Sequence, residues 1–150
     1  MAERIRRWAA CVAATLVLTS ATVVVTDSAA LAVSCSSSGT GIWEVVRSFT
    51  RTLESGRTVQ LALRNERVRD HSAAMLTGAI ASSDELWVER LNGGTWEACP
   101  RTTVGTTGGS VRLSAYSAAN LGFTMRACMA YTVYGPYRQT LCTSSYTDTD

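Results

Sequence analysis

Cys128 and Cys142 stand on either side of Tyr134-Gly135-Pro136, a turn signal between two β-rich runs, residues 123–133 and 137–143. A turn centred on Gly135 sets residues whose numbers sum to 270 opposite one another, and these two cysteines meet that condition. They would then lie directly across neighbouring strands, within disulfide reach. Cys35 and Cys99 complete an even set of four, which two disulfides can close in three ways. The hairpin register selects Cys128–Cys142 and leaves Cys35 for Cys99, although a shift of one residue in the turn would change the partners. A zinc site is the competing use of such a set. No two cysteines are spaced C-x-x-C and His71 is the sole histidine, so structural disulfides are expected and no metal.

Disulfides imply an oxidising compartment, and the chain begins as an exported one does. Residues 1–8 carry Arg4, Arg6 and Arg7 against Glu3. Residues 9–25 are apolar apart from Thr15, Thr19, Ser20 and Thr22, and Ser28-Ala29-Ala30-Leu31-Ala32 offers a small-x-small cleavage pattern. Residues 1–32 are therefore expected to be a signal peptide removed after Ala32, taking Cys11 with them. A retained membrane anchor is the alternative, but the apolar run is short for a span of about 20 residues, and an anchor has no use for a cleavage site.

Residues 33–150 are of single-domain size. Without Arg4, Arg6, Arg7, Glu3 and Asp27, the 14 basic and 12 acidic residues fall to 11 and 10. That near-neutral balance provides no electrostatic reason for a nucleic acid or an anionic membrane as partner. Every base is Arg.

Turns punctuate this region. Residues 58–64 alternate Val59, Leu61 and Leu63 against Gln60, Ala62 and Arg64, as a half-buried strand does. Residues 73–81 contain Ala and Met that also suit a helix, but Gly78 in the middle and Ser82-Ser83-Asp84 after it favour a strand and turn. Asn92-Gly93-Gly94 separates residues 85–91 from 95–99, and a two-residue Gly93-Gly94 loop would pair Arg90 with Glu97 and Leu91 with Trp96. Val111, Leu113 and Ala115 mark another strand. Residues 42–53 are ambiguous, because Ile42, Val46, Phe49 and Leu53 have helical spacing in a composition that suits a strand. The whole predicts an all-β fold, a small antiparallel β-sandwich or barrel with two disulfides.

Catalytic vocabulary is sparse. Asp70-His71-Ser72 holds triad residue types, but neighbours in an extended chain point apart, so His71 is expected to be a turn residue in solvent. The pairs Asp84/Glu85 and Glu89/Glu97 could serve glycoside chemistry across a sugar. Without a predicted cleft they read as a turn residue and solvated strand faces. No Gly-rich loop leads into a Lys, so no P-loop is present and no cofactor is expected. The tryptophans Trp43, Trp87 and Trp96 are expected in the core. Tyr134, Tyr137 and Arg138 are different, since a hairpin tip would expose them as a compact surface of interface-type residues.

Leu76-Thr77-Gly78-Ala79, Asp84-Glu85-Leu86-Trp87-Val88-Glu89-Arg90, Gly93-Gly94-Thr95-Trp96, Arg126-Ala127-Cys128 and Cys142-Thr143 follow one another in a recognisable order. The series resembles small secreted actinobacterial β proteins with a D-x-x-W…GG-T-W…R-A-C…C-T pattern. The resemblance covers residues 58–146; its motifs are strand and turn signatures, so it implies a β fold and the Cys128–Cys142 pair rather than a site. Asn92-Gly93-Gly94-Thr95-Trp96 also shares part of a sialidase Asp-box, but Asn92 stands in the Asp position, the Ser is missing and the motif occurs once. Among such proteins, the chain is similar in type and size to the adaptor subunit of Streptomyces umbrella toxin particles. That adaptor joins a lectin-like subunit to the long toxin chain by inserting its N-terminal segment. Cys35, two residues after the expected N-terminus, departs from that arrangement.

The expected function is a secreted, non-catalytic protein-binding module, an adaptor or structural subunit of an extracellular, antibacterial toxin complex. A hydrolase inhibitor acting through residues 134–138 is one alternative. A carbohydrate-binding module, with aromatic rings along one exposed face, is the other.

Overall fold

A computed structural model describes residues 34–38, 41–105 and 110–149. The expected signal peptide and its cleavage site lie outside the described residues.

The alternation in residues 58–64 organises one half of the molecule. Strand β3 (Thr58–Glu66) turns Val59, Leu61 and Leu63 inward to full burial. It pairs on one side with β2 (Trp43–Thr52) and on the other with β4 (His71–Gly78). Beyond β4 lie β8 (Val111–Ala119) and the short β1 (Cys35–Ser37), giving a five-stranded antiparallel sheet in the order β1-β8-β4-β3-β2. The second sheet is built on β5 (Glu85–Asn92), with β6 (Thr95–Ala98) on one side and β9 (Thr124–Tyr134) then β10 (Tyr137–Cys142) on the other. Two-residue strands β7 (Thr102–Thr103) and β11 (Tyr146–Thr147) pair with β5 and β9.

The two sheets face each other as a sandwich. Leu61, Leu63, Ala74 and Leu76 of the first pack in one core with Leu86, Val88, Ala127, Met129 and Tyr131 of the second. Each large side chain removed from water there contributes about 1.5–3 kcal/mol. One end of the sandwich is closed by polar groups. Asn65 donates to Asp148 Oδ2 at 2.7 Å, and Asn120 donates to the same oxygen, to Ser72 Oγ and to Asn65 Oδ1. All four residues are buried, so the C-terminal segment is tied down through hydrogen bonds made away from water.

Both disulfides form, Cys35–Cys99 and Cys128–Cys142. The register of Cys128 and Cys142 is as expected, but the turn that produces it is not. Gly135-Pro136 is a two-residue loop with Tyr134 paired to Tyr137, which by itself would place Cys142 opposite Met129. A bulge at Val133 adds one residue to β9 and brings Cys142 back to Cys128. The Gly93-Gly94 hairpin follows expectation, with Arg90 opposite Glu97 and Leu91 opposite Trp96.

Bulges also account for two other departures. The ambiguous residues 42–53 form a strand, and a bulge at Val46 shifts its phase so that Val46 and Phe49, three apart, both pack on the core. A bulged strand therefore imitates helical spacing. In β8 the irregularity falls opposite Ala74, and Val111 and Leu113 end on the outer face, about half exposed. Among the described tryptophans only Trp87 is buried; Trp43 and Trp96 are half-exposed, contrary to their expected core placement.

Candidate functional site

Three places gather chemistry: the β9–β10 hairpin tip, the outer face of the second sheet, and a recess on the outer face of the first.

At the tip, Tyr134 and Tyr137 are 65% and 61% exposed, with ring centroids 4.7 Å apart and planes tilted by 42°. Arg138 does not join them as a free cation. Its guanidinium donates to Glu85 Oε1 at 2.6 Å and to the carbonyls of Ser83 and Ala130 at 2.8 and 3.3 Å. The side chain therefore ties the tip to the start of β5, and the disulfide pins the other end of the hairpin. Burial acts to raise the Glu85 carboxyl, but hydrogen bonds and charge from Arg101 and Arg138 outweigh it and hold the group below the ordinary glutamate range.

Successive outward residues of the second sheet continue from Glu85 as a ladder. Arg101 donates to Glu85 Oε2 at 3.0 Å, and its guanidinium lies 4.2 Å from the Trp87 ring centroid. The Trp87 indole donates to Glu89 Oε1 at 2.7 Å. Arg126 donates to Glu89 Oε2 at 2.7 Å and covers the Trp96 ring at 4.0 Å. Trp87 sits opposite Cys128, packed on the disulfide, which explains why an outward ring is only 1% exposed. Arg and Trp are paired here by cation–π contact as well as by charge.

This ladder corrects the reading of the acidic residues as solvated. Glu89 and Glu97 are largely covered and ion-paired, Glu89 with Arg126 and Glu97 with Arg90. Asp84 is fully buried in the link from β4 to β5. Its carboxylate accepts two bonds from Arg57, at 2.8 and 3.0 Å, and one from the Ala81 amide at 2.8 Å. Glu89, Cys128 and Cys142 are close enough to suggest a metal triad, but the two sulfurs are bonded to each other and present no thiolate.

His71 is not in a turn. It is the first residue of β4, half-exposed, paired with Glu66 on one side and Ala119 on the other. The turn residue is Asp70, whose φ of 50° reverses the chain. Ser72 points inward to Asn120 while His71 points outward, so Asp70, His71 and Ser72 do not converge. Instead His71 lies in a cross-strand row with Glu66 and Trp43. Together with Ser36, Ser37, Gly41, Arg69 and Ser117 they line a recess of about 210 Å³. Its residues come from β1, β2, β3, β4, β8 and the loops beside them, and no local motif announces them.

No protein-family model, curated protein or solved structure matches the chain.

Proposed function

We propose that the chain is an exported, non-catalytic protein-binding module that serves as an adaptor or structural subunit in an extracellular assembly. The observation that carries this reading is the Tyr134–Tyr137 pair, two large rings in solvent on a hairpin that cannot easily move. A cross-strand disulfide and the Arg138–Glu85 contact hold the tip before any partner arrives. Rigid aromatic area held in its bound geometry is what an interface anchor requires, because little rotamer entropy is lost on contact. The two disulfides suit an extracellular setting.

The resemblance to the toxin-particle adaptor supports placing the module in an antibacterial toxin complex. The Cys35–Cys99 bond argues against docking by an inserted N-terminal tail, since it ties β1 to the loop after β6. Contact through the hairpin tip is the mode consistent with it.

The test uses the secreted protein, immobilised without reductant and exposed to culture supernatant, with the captured partner purified and titrated back. Tyr134→Ala and Tyr137→Ala are each expected to weaken that partner by tenfold or more, equivalent to ~1.4 kcal/mol. A circular dichroism melt checks that both variants fold. Capture indifferent to both substitutions would refute this mode of action.

A further inference from the structure

We propose that the recess between Trp43 and His71 is a binding site for a single neutral pyranose ring. This goes beyond the hairpin-tip interface and does not depend on it, because the two places lie on different sheets.

Glu66 is the starting point. It is only 3% exposed and, among the described residues, no hydrogen bond or ion pair reaches its carboxylate, whose oxygens still touch solvent. A carboxylate with so little access to water gains from a hydroxyl that can donate to it. Gly41 covers it closely. A Cβ at residue 41 would come within 2.7 Å of Glu66 Cγ and 3.1 Å of Oε1, so a larger residue there would push the Glu66 side chain aside. The carboxylate is thus enclosed on one side and borders the recess on the other.

The other walls decide what could meet it. The Arg69 carbonyl accepts from His71 Nδ1–H, which leaves the Nε2 side of the ring for a further hydrogen bond. Arg69 also lines the recess, and Ser36, Ser37 and Ser117 bring hydroxyls; those of Ser36 and Ser117 share a bond of 3.3 Å and each keeps capacity for a further one. Trp43 supplies an aromatic wall, braced by the Arg64 guanidinium 5.5 Å from its ring centroid. Acceptors, donors and one flat apolar surface therefore surround a space of about 210 Å³. That is smaller than the ~300–1,000 Å³ of pockets for drug-sized molecules and suits one ring.

Other ligand classes fit this lining less well. A phosphate or carboxylate would face Glu66 at close range. An organic cation would meet the charge of Arg69, one of the lining residues. A metal ion would find one carboxylate and one imidazole beside a guanidinium. A hydrocarbon would leave Glu66 without a partner. A pyranose satisfies all of them, with hydroxyls for Glu66, His71, Arg69 and the serines and a C–H face for Trp43.

The experiment is a nuclear magnetic resonance titration of the disulfide-bonded protein, watching the indole N–H signals of Trp43, Trp87 and Trp96, with Trp43 assigned through Trp43→Phe. Probes are the methyl glycosides of glucose, galactose, mannose and N-acetylglucosamine, with sodium phosphate and ethylammonium chloride alongside. At least one glycoside is expected to move the Trp43 signal saturably, with Kd at or below about 10 mM, while Trp87 and Trp96 stay in place. Glu66→Gln is expected to weaken that glycoside at least tenfold in a protein whose melting transition is retained. The wild-type titration stands even where the variant does not fold. The proposal is overturned if no glycoside shifts Trp43, if only phosphate or ethylammonium does, or if a folded Glu66→Gln protein binds the glycoside unchanged.

Discussion

Replacing Arg57 by Met is expected to be among the most damaging single changes outside the hydrophobic core. Arg57 lies just before β3, Asp84 just before β5, and the chain crosses from the first sheet to the second between β4 and β5. The guanidinium donates twice to Asp84 and once to the Ala79 carbonyl at 2.7 Å, so a single side chain closes that crossing. Arg57→Met leaves the Asp84 carboxylate fully buried with only the Ala81 amide as donor. Breaking a buried pair from one side costs about 3–5 kcal/mol. The Arg57 side chain is 22% exposed, so water can enter from its side and the lower end, about 3 kcal/mol, applies. With a urea slope of roughly 1.5 kcal/mol/M, the unfolding midpoint should fall by about 2 M. Arg57→Met combined with Asp84→Asn removes both charges while keeping an acceptor for Ala81, and should cost about 2 kcal/mol less than the sum of the single changes. A midpoint shift below roughly 0.5 M for Arg57→Met, or strict additivity in the double variant, would refute the argument that an uncompensated buried charge sets the loss.

The two disulfides should differ in worth. They join residues 14 and 64 apart, so chain entropy assigns about 3 kcal/mol to Cys128–Cys142 and about 4 kcal/mol to Cys35–Cys99. Paired Cys→Ser replacements compared by thermal melting check the order, and equal melting temperatures would contradict it. Acid should weaken the tip through Glu85. Its folded pKa is depressed, so its contribution is complete above the unfolded value of about 4.3 and disappears as pH falls through the folded value below it. Glu85→Gln should flatten that part of a stability-against-pH curve, and an unchanged acid limb would show that Glu85 is not the group responsible. Gly78→Ala should destabilise by more than about 2 kcal/mol, because φ there is +102° and a Cβ would come within 2.6 Å of the Thr58 carbonyl. Urea unfolding measures it, and a loss below about 1 kcal/mol would mean the backbone relaxes freely.

Much of this fold was legible in the sequence because it is written in local chemistry. Alternation in residues 58–64 and the glycine turns at Gly93-Gly94 and Gly135-Pro136 act over a few residues, where side-chain period and turn geometry leave few options. From them come the all-β class, the hairpin pairs and the Cys128–Cys142 bond, and with one bond assigned the other follows by parity. Tertiary structure decided the rest. Bulges at Val46 and Val133 change strand phase without a residue type that marks them, so Val46 and Phe49 read as helical and the hairpin register came out right through a different turn. Burial of Asp84, the ion pairs of Glu85 and Glu89, and the outward yet covered Trp87 depend on partners far along the chain. The recess joins Ser36, Trp43, Glu66, His71 and Ser117 across five strands, two of them bulged. A strand's own sequence sets which residues share a face, but which strands become neighbours, and which charges meet across them, is settled only when the sheets close on a common core.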